Sequence, residues 1–83
     1  MPESNCPLVE RIARVLAGAK LSANAAGDID HAADEVDRTW REHVNQALAV
    51  LHTAREPDEA MAAAGDTGVW RNMVEAAIAQ RLD

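Results

Sequence analysis

The chain has no phenylalanine, no tyrosine and two tryptophans, Trp40 and Trp70. The large rings that dominate most small cores are therefore almost wholly missing. Alanine supplies much of the 48% apolar content; it buries little area per residue but favours helix. In 83 residues this predicts one domain with a thin core, because short chains bury a small share of their surface. One cysteine, Cys6, excludes an internal disulfide, the usual support of small secreted domains, and predicts a reducing, cytoplasmic setting. No apolar run nears the ~20 residues that span a bilayer, and the opening MPESNCPLVE carries acids where a signal peptide needs bases. A protein without membrane attachment is expected. Basic residues are also scarce: eight Lys and Arg face fourteen Asp and Glu, a net charge of −6. Nucleic acid is an unfavourable partner for such a surface, as are anionic membranes.

What is present is helical periodicity. PLVERIARVLAGAK places Leu8, Ile12, Val15, Leu16 and Ala19 on one face, opposite Glu10, Arg11 and Arg14, which predicts a helix over 7–20 capped by Asn5 or Cys6 and ended at Gly18 or near Ser22. After the small polar stretch SANAAG, Asp28 or Asp30 can cap a second helix. Ile29, Ala33, Val36, Trp40, Val44, Ala47, Leu51 and Ala54 then recur every three or four residues without Gly or Pro, a long helix over 29–55. Pro57 stops it, since proline disfavours helical geometry in the residue before it. REPDEAMAAAG reads as a helix stop followed by a short helix over 57–64, with Pro57 first, Glu59 reaching back to the amide of residue 56, and Gly65 as a left-handed cap. Asp66 or Thr67 opens a last helix over 67–82, with Trp70, Met73, Val74, Ala77, Ile78 and Leu82 on its apolar side. Residues 1–5 lie outside any element. The expected fold is an all-α bundle: a long central helix, a shorter N-terminal helix and two C-terminal helices.

Chemistry finds little footing. Asp28, Asp30, His31, Asp34, Glu35 and Asp37 are crowded, and Asp28 with His31 has the carboxylate-x-x-His spacing of helical di-metal sites. Such sites need a second motif of that kind, and Glu42 next to His43 does not supply it; the bland reading is a solvated acidic face. Cys6 beside a helix start would have a lowered thiol pKa, but no histidine is placed by spacing to serve it, so no nucleophile is expected. His43 borders the central stripe and reads as an interface histidine. Trp40, Trp70, Met61 and Met73 could line a ligand groove, although helical spacing makes core their default. No catalytic residue, cofactor or metal is expected.

The order of Trp40, Ala47, Leu51, Arg55-Glu56-Pro57, Glu59-Ala60-Met61, Ala64-Gly65, Trp70, Met73, Val74, Ala76 and Ala77, together with PLVERIARVL, resembles a set of short uncharacterised proteins of alphaproteobacteria and their phages. The resemblance implies a bacterial, intracellular and phage-related protein; it carries no activity, cofactor or functional residue to this chain.

These observations favour a non-catalytic interaction module or small regulator. Alternatives are a metal- or ligand-binding protein using the 28–37 segment, and a DNA-associated phage regulator. A homodimer is expected, with Val36, Trp40, Val44 and Leu51 as a coiled-coil-like seam between two long helices; a different protein could take that seam instead. Zn²⁺, Mn²⁺ or Fe²⁺ in excess should leave the melting temperature unchanged. A folded-state site filled at about 100 times its Kd would add about 2.7 kcal/mol, a shift of several degrees. A shift abolished by Asp28→Ala with His31→Ala would instead make the acidic stretch a metal site.

Overall fold

The computed structural model describes residues 3–24 and 32–82. Among them every regular element is a helix: α1 (Leu8–Asn24), α2 (Ala32–Thr39), a 3₁₀ turn (Trp40–His43), α3 (Val44–Ala54), α4 (Glu59–Ala64) and α5 (Thr67–Ala79). α2, the 3₁₀ turn and α3 follow without a break and form the long central helix, against whose whole length α1 packs. α5 covers one part of α3. Asp28, Asp30 and the predicted start at residue 29 lie outside the described residues. No helix among the described residues is long and apolar enough to cross a membrane.

α1 begins where Pro7 accepts the Arg11 amide at 3.0 Å, and Ser4, rather than Asn5 or Cys6, supplies the side-chain acceptor there, taking the Cys6 amide at 3.1 Å. The helix runs past Gly18 to Asn24 instead of ending near residue 20. A glycine within a helix costs about 1 kcal/mol against alanine, but Gly18 faces the central helix: a Cβ built on it would lie 3.9 Å from the Val36 side chain. The buried stripe is Val9, Ala13 and Ala17, flanked by half-buried Leu8, Ile12 and Leu16. Val15, expected on the apolar face, is 69% exposed. The face turned this way because small residues at its centre let the helix axes approach closely, and Ala47 meets them from α3, fully buried.

The 3₁₀ turn changes the phase of the central stripe. Each 3₁₀ residue winds about 20° further than an α-helical one, so His43 becomes buried and Val44 is displaced to a half-buried flank. Thr39 contributes locally: its hydroxyl donates to the Glu35 carbonyl at 2.7 Å, a bond back along the helix that bends it. The imidazole of His43 is satisfied at Nδ1 by Gln46 Oε1, 2.7 Å away.

Two residues of the predicted dimer seam are enclosed within the chain and two are partly so. Trp40 is 5% and Leu51 3% exposed, and Val36 and Val44 are half-buried against the same cluster. α1 and α5 thus enclose Trp40 and Leu51, while Val36 and Val44 keep part of their surface open.

The C-terminal half departs from expectation at its punctuation. Asp58, not Pro57, opens α4; its carboxylate accepts the Met61 amide at 2.9 Å, and Glu59 becomes the first helical residue. An aspartate before the first turn satisfies an orphan amide directly, so the reach of Glu59 to residue 56 is not required. Gly65 leaves α4 with extended backbone, φ −166° and ψ −173°, rather than left-handed. Asp66 must itself be extended to cap α5, and the chain straightens to reach it. Asp66 accepts the Val69 amide at 3.0 Å, as its position predicted. α5 ends at Ala79, and Leu82 packs on the core from beyond the helix, where its carbonyl lies 3.5 Å from Arg41.

The molecule is elongated. Its radius of gyration is 15.0 Å, against about 12 Å for a compact chain of this length. It exposes 6222 Å², against about 4,800 Å² for a compact monomer of its mass.

Close approach at the alanines sets a test. Ala47→Leu should cost about 1–3 kcal/mol by overpacking, while Val15→Ser should change stability by less than about 0.5 kcal/mol. Urea midpoints would measure both, and a well-tolerated Ala47→Leu would show that the helices are not in close contact.

Candidate functional site

Two side-chain constellations stand out beyond the helix packing. The first surrounds Trp40. Arg14, on α1, reaches Glu10 on its own helix at 2.9 Å and Asp37 on α2 at 2.6 Å. The same guanidinium lies 5.3 Å from the Trp40 ring centroid, and that of Arg41 lies 4.4 Å from it. Two cations on one ring, each worth about 0.5–1 kcal/mol at a surface site, fix the only large ring of the core in place. The Arg14 guanidinium holds the Glu10 carboxyl below its ordinary range, against the upward push of partial burial, and the Cys6 thiol adds to the lowering. Hydrogen bonds to Asp37 and Glu10 hold Arg14 more firmly charged in turn. The site is a clasp between α1 and α2, with every charge answered.

Cys6 belongs to that clasp rather than to a reactive centre. Partial burial raises its thiol pKa most, and donation to the Glu10 carboxylate raises it further. The helix start had pointed to a lowered value; partial burial, with the neighbouring carboxylate, reverses the sign. Of the acidic stretch, Glu35 pairs with Arg38 and Asp37 with Arg14, while Asp28, Asp30 and His31 lie outside the described residues. His43 is enclosed in the core and His52, next to buried Leu51, is exposed.

The second constellation is apolar and open. α4 buries none of its side chains, and α5 turns Val74 inward but leaves Val69 54% and Met73 64% exposed. Between the two helices runs a cleft of about 300 Å³ lined by Pro57, Met61, Ala64, Val69, Trp70 and Met73, closed at the linker by Gly65, Asp66 and Thr67. Trp70 is its fixed point, because its indole Nε1–H donates to the Ala54 carbonyl at the end of α3, 2.7 Å away. One ring thus anchors α5 to the central helix and offers its remaining face to the cleft. Met61 and Met73 bring flexible, polarizable thioethers that adapt to whatever packs on them.

Charges frame this cleft. Arg55 lies 3.7 Å from Glu75 and Arg71 3.6 Å from Glu56, so both arginines of the region are answered. No ion pair among the described residues engages Asp58, Glu59 or Asp66. Of the four side chains that sequence reasoning offered for a groove, with core as the default, Met61, Trp70 and Met73 line this cleft and Trp40 is in the core; periodicity places a residue on a helix face but does not say whether a partner helix covers it.

No family model matches the chain, and neither a curated protein nor a solved structure matches it.

The clasp has a pH signature. A carboxyl whose folded pKa is depressed contributes fully above its ordinary value of 4.5, and that contribution is lost as the pH falls through the lower folded value. Glu10→Gln should therefore be less stable than wild type in urea at about pH 7, and the difference should narrow as the pH falls below 4.5 and through the lower folded value. A gap that stays constant would remove Glu10 from the clasp.

Proposed function

We propose that the protein is a small, non-catalytic interaction module whose contact surface is the α4–α5 face. One observation carries this reading: three large apolar side chains, Met61, Val69 and Met73, are exposed around a single cleft, although the chain has few such groups to spare. Scattered exposed apolar residues are ordinary, whereas a contiguous patch marks an association site.

The groups with chemical potential point the same way. The Cys6 thiol is held protonated against Glu10, and His43 is spent on Gln46 inside the core. Among the described residues these two groups therefore have different partners and are not paired as nucleophile and base.

A photo-crosslinking residue in place of Met73 tests the reading in cells of the organism that encodes the chain, with exposed Asn45 as the control site. A discrete crosslinked protein is expected from position 73 and not from position 45. No product at 73, or the same products from both, would refute an α4–α5 contact surface.

A further inference from the structure

We propose that the α4–α5 cleft receives a basic amphipathic helix of a partner protein; the inference rests on the reading above and names the occupant. Its apolar side chains would seat against Met61, Trp70 and Met73, and its lysines or arginines would meet Asp58, Glu59 and Asp66.

Three features select this occupant. The first is shape. Every regular element here is a helix, so no strand edge among the described residues offers backbone hydrogen bonds to an extended peptide, and what remains is a furrow between two helices. Side chains from one face of a third helix, spaced i, i+3, i+4, fit such a furrow. The volume of about 300 Å³ lies at the small end of ligand pockets and suits one or two large side chains better than a free metabolite.

The second is surface chemistry. A cleft with two methionines tolerates varied apolar shapes, and Trp70 supplies a rigid floor, because its indole is fixed to Ala54.

The third is charge, and it decides between occupants. Residues 55–75 hold two arginines and five carboxylates. Both arginines are already paired, with Glu75 and Glu56, which leaves Asp66 in the cleft wall, and Asp58 and Glu59 between the lining residues Pro57 and Met61, to set the local field. A second copy would bring an identical acidic rim against this one, and like charges across an interface oppose association. The net charge of −6 adds to that opposition. Nucleic acid and anionic membrane fail for the same reason of sign, while a cationic helix gains both faster encounter and correct register.

The test uses the full chain and three synthetic helices of about 14 residues, four turns, with leucines on one face and lysine, glutamine or glutamate on the other. Calorimetry at low salt should show the lysine helix binding one to one, about tenfold or more tighter than the glutamine helix, with the glutamate helix not binding. The preference should shrink as salt screens the rim. Met73→Glu is the decisive variant: Met73 is exposed, so the fold tolerates the change, and the added carboxylate would strengthen any nonspecific adhesion of the lysine helix. Seating in the cleft predicts the opposite, a loss of about tenfold or more. Tighter or unchanged binding by Met73→Glu overturns the inference. So does equal binding of the lysine and glutamine helices, or a wild-type dimer that Met73→Glu dissociates; in those cases crosslinking at position 73 still reports on the interaction reading separately.

Discussion

The contact on which the rest of the molecule depends is the close approach of α1 to the central helix through Ala13, Ala17 and Ala47, all essentially without solvent exposure. A chain without phenylalanine or tyrosine cannot fill a wide gap between helices. Its alternative is to make the gap narrow, so that small side chains touch across it and dispersion accumulates over many short contacts. Val9, Trp40 and Leu51 then need only seal the margins of that seam. The narrow gap also brings Arg14 within reach of both Asp37 and the Trp40 ring. The ion pair is thus a consequence of the alanine packing as well as a lock upon it.

Spending the central stripe in this way leaves the C-terminal hairpin short of partners. α5 reaches the core through Val74, with Trp70, Ala77 and Ile78 half-buried beside it, and α4 reaches it with no buried side chain at all. The polar caps Asp58 and Asp66 hold the two helix starts, and the Trp70 bond to Ala54 ties the pair to α3. Local hydrogen bonding therefore shapes the hairpin more than burial does. Such an element keeps its geometry while presenting apolar surface outward, which is what a docking face requires.

Much of this architecture is written in the spacing of the sequence. The all-α class, the long central helix, the stop before Pro57 and the aspartate that opens α5 follow from periodicity, proline stereochemistry and capping. Three features were not legible, each for a physical reason. The buried face of α1 is centred on Val9, Ala13 and Ala17, with Leu16 on its flank and Val15 turned out, because steric closeness, which residue-by-residue hydrophobicity ignores, outweighed side-chain size. His43 entered the core because a 3₁₀ turn rotated the stripe, a change of pitch that no apolar spacing announces. The enclosure of Trp40 and Leu51 within the chain was not legible because the residues of α1 and α5 that cover them are distant in sequence. The open cleft was legible only as an alternative, since Met61, Trp70 and Met73 carry a core-like spacing that does not say whether a helix covers them.

The six side chains of α4 have a consequence for how this protein can vary. Because none is buried, folding places almost no demand on their identity beyond a preference for helix, and random substitution there should drift freely in any lineage that has lost the need for the surface. At Ala13, Ala17 and Ala47 the reverse holds, since packing alone forbids anything larger. The two regions therefore keep separate records: variation at the alanines reports the constraint of the fold, and any restraint at Met61, where the fold asks for nothing, is the mark of selection for contact.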